Sequence, residues 1–143
     1  MKYLKLFEDY GNEELYYHGT RTLLPFNNFD KKMDGSGLVS MGRKYGGFFF
    51  TSSEKNANSY SETWRATVKI NNVVKSSDRD IKKSLENAND DSKNYVIEDV
   101  LDGAVLSDIV VVPYSNLDNI TILEWVFIGD EDTYFDDLDD MFN

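Results

Sequence analysis

The hydrophobic residues of this chain fall into short runs separated by polar stretches, a pattern typical of a β-rich protein. Three runs are continuously apolar, which indicates strands covered on both faces. Others alternate apolar and polar residues, which indicates strands covered on one face. The predicted strands are residues 15–18, 48–51, 64–70, 109–112 and 120–128. Under strict alternation, one face of the last strand carries Thr121, Leu123, Trp125 and Phe127.

Two helices are predicted in the first half of the chain, and the first has apolar residues at the spacing of an amphipathic helix. The first begins at the N-terminus and stops before Gly11, a residue type that commonly ends helices. It either covers the core or serves as a detachable docking or targeting peptide. In the second, Thr51 is followed three positions later by Glu54, the spacing of a capping box, and the helix is expected to run to Tyr60.

Two more helices are predicted in the second half of the chain. Asp78 is a suitable N-cap for a polar helix that carries Ile81 and Leu85. Residues 96, 97, 100 and 101 are apolar at helical spacing, and Asp102–Gly103 would end that helix or form a tight turn. Because strands dominate and the helices are short, we expect an α+β fold: a single domain of two packed, strongly curved β-sheets with short flanking helices.

Charge and composition exclude several functional classes. Among 143 residues, 26 are acidic and 15 basic, and the net charge of −11 disfavours nucleic-acid binding through a basic surface. There is no cysteine and only one histidine, so disulfides and thiolate metal sites are excluded and no metal site is expected. No apolar run approaches the length of a membrane span and no secretion signal is visible, so we expect no membrane partner and a cytoplasmic location.

The acidic excess is concentrated at the C-terminus, where residues 130–143 contain seven Asp or Glu and no Lys or Arg. We therefore divide the chain into an N-terminal helix (1–11), a body (12–129) and an acidic tail (130–143). The tail is either a solubilising end, an acidic–hydrophobic peptide that docks on a basic partner, or a mimic of DNA phosphates. Calcium binding at residues 130–132 lacks the spacing and the glycine of an EF-hand.

Several local motifs contain residue types that can carry chemistry. In chain order they are His18-Gly19-Thr20, Gly47-Phe48-Phe49-Phe50, Ala57 with Tyr60, Asp108 opening the strand 109–112, and Ile120-Thr121-Ile122-Leu123. In order and spacing these motifs resemble the ADP-ribosyltransferase fold, in the His-Tyr-Glu branch of poly-ADP-ribose polymerases and diphtheria-type toxins. The resemblance covers residues 15–128 and is greatest for the compact members found in phage and toxin genomes.

The resemblance implies that the chain binds NAD between its two sheets and transfers ADP-ribose to an acceptor, a host protein or a nucleic acid. It implies that His18 binds the adenosine ribose hydroxyl and that the Gly19 backbone pairs with the nicotinamide carboxamide. Phe49 and Tyr60 would stack on the nicotinamide. Asp108 would bind the 2′-hydroxyl of the nicotinamide ribose and stabilise the developing cation. The other cofactor-binding candidates are Thr20 and, as cationic partners of the pyrophosphate, Arg21, Arg43 and Lys44.

Two residues depart from the family's pattern. Phe49 stands where the family has a tyrosine, so it can stack but cannot donate a hydroxyl hydrogen bond. Asp108 is one methylene shorter than the family's glutamate, and a displacement of about 1 Å can lower a rate on the order of 100-fold. Asp102 and Glu124 are alternative acids. Three hypotheses remain: an active mono-ADP-ribosyltransferase, a catalytically degenerate NAD- or partner-binding module, and a phage structural or internal protein unrelated to NAD.

Overall fold

Seven strands form one β-sheet, and two α-helices pack on it, in a computed structural model that describes residues 14–30, 46–102 and 105–130. The α+β class expected from the sequence is confirmed. The predicted N-terminal helix (1–11), Arg43 and Lys44 lie outside the described residues. The acidic tail (130–143) also lies outside them, except for Asp130.

The elements follow one another with short connections. In chain order they are β1 (Tyr16–Gly19), β2 (Gly47–Thr51), α1 (Glu54–Tyr60), β3 (Trp64–Ile70), β4 (Val73–Lys75), α2 (Ile81–Asp91), β5 (Asn94–Asp102), β6 (Val105–Pro113), a 3₁₀-helical segment (Tyr114–Asn119) and β7 (Ile120–Phe127). Across the sheet the strand order is β4-β5-β6-β2-β1-β3-β7. Neighbouring strands are antiparallel except β4 and β5, which are parallel and connected through α2.

The sheet is divided by a split between its two central strands. Within the described residues, β1 and β2 are paired at a single position, Tyr17 with Thr51. By contrast, β1 is paired with β3 along its whole length, and β2 with β6 along its whole length. Two half-sheets, β7-β3-β1 and β2-β6-β5-β4, therefore meet at one point. This arrangement differs from the two separate sheets that we expected, because one paired position still joins them.

One face of the sheet, here called the aromatic face, carries the main hydrophobic core. Phe48 and Phe50 point to this face because side chains alternate along a strand. Phe26 and Phe29, from the segment after β1, pack over it, and Phe26 contacts Trp125 at a ring separation of 4.9 Å. The other buried core residues are Tyr16, Ala66, Val68, Ile70, Val96, Val110 and Val112.

The opposite face, here called the helix face, is covered by α1 and α2. Helix α1 packs against β1 and β2, and α2 packs against β5 and β6. Their contact residues Ala57, Leu85 and Ala88 are fully or almost fully buried. β3, which we expected to be covered on one face, is therefore mostly buried on both.

The helix predicted at residues 96–101 is wrong, because this segment is the middle of β5. The pairing of β5 with β6 shifts between Ile97 and Val100, where Glu98 and Asp99 both lie opposite Asp108. Such a β-bulge adds one residue to the strand. Glu98 and Asp99 separate two apolar pairs, residues 96–97 and 100–101. This spacing matches that of successive turns of a helix, which is why the segment resembles one in the sequence. Asp102 ends β5 and pairs with Val105, so the two strands form a hairpin.

A second bulge changes the face predicted for β7. The pairing with β3 shifts between Thr67 and Val68, and Leu123 is the extra residue. As a result the residues of β7 that pack on the core are Ile120, Ile122 and Trp125, and Thr121 is exposed. The predicted face of Thr121, Leu123, Trp125 and Phe127 is therefore wrong in part.

The helix starts are also displaced from their predicted caps. Helix α1 is capped by Ser53, whose side chain accepts a hydrogen bond from the backbone of Asn56, and not by Thr51. Helix α2 is capped by Asp80, which accepts from Lys82, and not by Asp78. In each case the residue expected as the cap accepts a hydrogen bond from the cap residue's backbone N–H. The real caps therefore lie two residues further along the chain.

Candidate functional site

His18 lies on the aromatic face, enclosed by phenylalanine rings. Its ring centre is 5.3 Å from that of Phe29, 5.9 Å from that of Phe48 and 5.2 Å from that of Phe50. Phe29 and Phe48 meet the imidazole edge to face, the arrangement that aromatic rings prefer. The imidazole is therefore part of the aromatic cluster.

The hydrogen bonding of His18 fixes its tautomer. Nδ1 lies 2.7 Å from the carbonyl oxygen of Phe49 and donates to it, because a carbonyl can only accept. Nε2 is then an unprotonated acceptor, and it is buried with no hydrogen-bond partner in the described part of the chain. Burial lowers the pKa of His18, and the contact with Phe49 opposes this only in part. The ring is therefore neutral and carries one unused acceptor.

Gly19 and Thr20 have clear structural roles beside α1. A Cβ atom on Gly19 would lie 2.6 Å from the carbonyl oxygen of Ala57 and 2.9 Å from the backbone nitrogen of Ser61. Only glycine lets the helix approach the strand this closely. Thr20 is fully buried, and its hydroxyl donates to the carbonyl of Trp64 at 2.9 Å. Arg21 follows as an exposed residue.

The backbone of Gly19 points into the split. Thr20 donates its N–H to Trp64 of β3, and successive residues of a strand direct their polar groups to opposite sides. The N–H and C=O of Gly19 therefore point away from β3 and toward β2. A continued ladder would place Phe49 opposite Gly19, but no paired position forms there, and the Phe49 carbonyl accepts from the His18 ring. His18 thus stands where the ladder is interrupted.

Phe49 and Tyr60 lie on the other side of the sheet from His18. Phe49 alternates with Phe48 and Phe50, which both belong to the aromatic core, so its side chain points to the helix face. Tyr60 is the last residue of α1, the helix that covers this face. The structure therefore does not bring Phe49 and His18 into one cleft, and the two residues expected to stack on the nicotinamide, Phe49 and Tyr60, both belong to the helix face.

Asp108 lies on the aromatic face, but it is not the first residue of its strand. β6 begins at Val105, so the expectation that Asp108 opens the strand is wrong. Its carboxylate accepts a hydrogen bond from the N–H of Asp99 at 3.0 Å, and Asp99 has a positive φ of 56°. Asp108 thus holds the bulge of β5 in place. The Phe50 side chain lies between Asp108 and His18, because Phe50 pairs with Val110 and contacts the imidazole.

The surroundings of Asp108 are acidic. Tyr16 is buried nearby, and its hydroxyl donates to Glu14 at 2.9 Å. Burial raises the pKa of Tyr16 strongly, with the negative charges of Glu14, Asp108 and Glu98 adding to the effect. Lys75 pairs with Glu98 at 2.9 Å, and the partnership raises the pKa of the lysine. The tyrosine therefore remains a neutral phenol.

Arg65 is the main polar residue that the sequence reasoning did not single out. It is buried on the helix face, where its guanidinium donates to Glu54 at 2.7 Å and to Asn58 at 3.0 Å. It also lies 3.5 Å from Glu124, and its charge lies over the ring of Tyr17 at 5.1 Å. The sequence offered no distinct signal, because Arg65 alternates with apolar residues in the same way as Thr67 and Lys69 of the same strand. This network binds β3 to α1 and β7, and it places the alternative acid Glu124 on the side away from His18.

The chain was compared with protein-family models, with curated protein sequences and with solved structures. No match was found in any of the three comparisons. The family resemblance therefore rests on the sequence motifs alone. None of the helices among the described residues is long and apolar enough to cross a membrane.

Proposed function

We propose that this protein is an ADP-ribosyltransferase-like module that binds NAD at the split between β1 and β2. The observation that carries the proposal is the interrupted ladder, where the Gly19 backbone points into the split and the preceding residue, His18, has a buried Nε2 with no hydrogen-bond partner among the described residues. A backbone N–H and C=O on one residue are the complement of a carboxamide, which has one acceptor and two donors. An unprotonated ring nitrogen is the complement of a ribose hydroxyl.

The order of elements supports the proposal. The His-Gly-Thr motif lies at the end of a strand, the Gly-Phe-Phe-Phe motif forms the next strand, and Ala57 and Tyr60 lie on the helix that follows. The late acidic strand and the last hydrophobic strand are β6 and β7. These are the element types that the resemblance implies for each motif, in the same order along the chain.

The site fits NAD binding better than NAD cleavage. The His18 ring and the Gly19 backbone meet at the split, but the Phe49 side chain is directed to the opposite face. Because Nε2 is buried, a ribose hydroxyl can reach it only if one of the phenylalanine rings that pack on His18 moves aside. We therefore favour a binding module that lacks the stacked nicotinamide pocket of an active transferase.

Isothermal titration with NAD tests the proposal. The wild type should release or absorb heat on binding, and His18→Phe, which keeps a ring but removes Nε2, should bind roughly tenfold more weakly. Tyr17→Phe is the matched control, since it removes one polar atom from the neighbouring residue on the helix face and should leave the affinity unchanged. In amide exchange, NAD should slow the Gly19 N–H. Absence of binding heat at millimolar NAD, with no change in exchange, would overturn the proposal.

ADP-ribose transfer is a second candidate, favoured by one observation: Asp108 and His18 lie on the same face of the sheet. Transfer of label from adenylate-labelled NAD to host proteins and host nucleic acids is the test. Asp108→Asn removes the negative charge but keeps an acceptor for the Asp99 N–H, so the bulge should survive. Asp99→Asn is the matched control, since it makes the same charge change on the residue opposite Asp108 in β5. Label transfer that is lost only in Asp108→Asn supports an enzyme, and no transfer by the wild type excludes one.

A further inference from the structure

The end of the β5–β6 hairpin presents two exposed leucines side by side. Leu101 and Leu106 are paired across the two strands, and they are 72% and 58% exposed. Directly opposed residues of an antiparallel pair have their side chains on the same face and in reach of each other. Among the described residues, the other large hydrophobic side chain with comparable exposure is Leu24, at 46%, in the segment after β1.

This leucine pair is more than scattered surface hydrophobicity. Beyond the bulge of β5, no element among the described residues packs on the aromatic side of the hairpin at Leu101 and Leu106, whereas Ser107 on the helix side is buried and contacts Asn56 of α1. Exposed leucines at a strand end favour aggregation unless they are covered by a partner. The pair is therefore a candidate interaction surface.

Carboxylates adjoin the leucine pair. Leu106 precedes Asp108 by two residues on the same face of β6, and the Asp108 carboxylate is bonded to the N–H of exposed Asp99. Glu98 lies in the same bulge of β5, and its carboxylate is paired with Lys75. The local charge is thus negative, like that of the whole chain at −11. A second copy of this chain would bring two negative surfaces together, which is unfavourable.

We propose that the leucine pair is a docking surface for a basic protein segment that carries an apolar side chain. Leu101 and Leu106 would bury the apolar side chain, and Asp99 and Asp108 would attract the flanking Lys or Arg residues. The proposal does not depend on NAD, and its test contains none. Its outcome is therefore independent of the outcome for the proposed function.

Fluorescence anisotropy with three labelled peptides of equal length tests the proposal on the full chain. One peptide is Lys-rich with a central leucine pair, the second has Glu in place of Lys, and the third has Ser in place of Leu. Only the first should bind, and its affinity should fall as salt is raised. The double variant Leu101→Thr/Leu106→Thr should weaken its binding by at least about tenfold. Threonine keeps the β propensity of both positions.

Leu24→Thr is the matched control, since it removes an exposed leucine away from the hairpin, and it should bind the first peptide as the wild type does. Thermal unfolding of the double variant should match that of the wild type, because neither leucine is buried. Equal binding of the acidic peptide, or wild-type affinity in the double variant, would overturn the proposal. So would a wild-type dimer in sedimentation velocity that the double variant abolishes, because the occupant would then be a second copy.

Discussion

The imidazole of His18 makes the stability of the fold depend on pH. Burial lowers its pKa in the folded state below the ordinary value of 6.5 that we expect in the unfolded chain. Between these two values the unfolded chain binds a proton that the folded chain does not bind, so acid favours unfolding. Stability should therefore fall as the pH drops below 6.5, by up to about 1.4 kcal/mol per pH unit.

Urea unfolding at pH 7.5 and pH 5.5 measures this effect. Since His18 is the only histidine of the chain, His18→Phe should remove most of the difference between the two pH values. The same loss of stability in the wild type and in the variant would show that other groups, such as carboxylates, cause it.

Arg65 gives a second prediction at the residue scale. Its two carboxylate partners, Glu54 and Glu124, are 57% and 59% exposed, so water can solvate them if the arginine is removed. We expect Arg65→Met to cost about 1–2 kcal/mol of folding free energy, mainly through the lost hydrogen bond with Asn58. Arg65→Lys should cost more, because its compact ammonium group would stay buried and could not reach both carboxylates. Urea unfolding ranks the variants, and a lysine variant as stable as the wild type would contradict this account.

For the candidate residues, the sequence motifs indicate which positions are important but not what each side chain does in the fold. His18, Gly19 and Asp108 were singled out for chemistry, and each also has a packing or hydrogen-bonding role in this fold. Residue type and order along the chain do not show which face of the sheet a side chain occupies relative to another strand. That relation depends on strand pairing, and it places Phe49 on the face opposite His18.

At the scale of elements, the contact of β1 with α1 depends on Gly19. An added Cβ would lie within 3 Å of two backbone atoms of the helix end, at Ala57 and Ser61, and backbone cannot move aside as a side chain can. We expect Gly19→Ala to destabilise the protein by about 1–3 kcal/mol in urea unfolding. The Ser61 hydroxyl also lies 2.7 Å from this position. If Ser61→Ala restored the stability of Gly19→Ala, that hydroxyl and not the backbone would be the obstacle.

Regular strands were predictable from the sequence, and strands with a bulge were predicted less well. β2 and β3 follow their apolar patterns closely, and their predicted limits differ from the observed ones by at most one residue. The sequence predicts a helix in the middle of β5 and the wrong inward face for β7, because one added residue in each strand shifts the alternation. A bulge depends on the pairing with a partner strand, as with Asp108 opposite Asp99, so periodicity within one segment does not reveal it.

At the scale of the whole molecule, the candidate site lies at the split between the two half-sheets. The order of motifs along the sequence indicated a cleft between two sheets. The half-sheets are joined at the single paired position of Tyr17 with Thr51 and separate beyond it. The split could not be located from the sequence, because nothing in residues 16–19 or 47–51 alone shows that their ladder stops after one pair. At this position the Phe49 carbonyl accepts a hydrogen bond from the His18 ring.

The net charge predicts how salt changes the stability of the whole molecule. The chain has 26 acidic and 15 basic residues, so folding adds more repulsion between like charges than attraction between opposite charges. Screening of these charges by salt should therefore favour the folded state. We expect the Tm to rise when NaCl is increased from 10 to 200 mM, by roughly 4 °C for each kcal/mol gained. A chain ending at Asp130 lacks six acidic residues, and its formal charge of −5 should make the rise smaller. If the Tm instead fell with salt, the ion pairs of Arg65 and Lys75 would outweigh the repulsion.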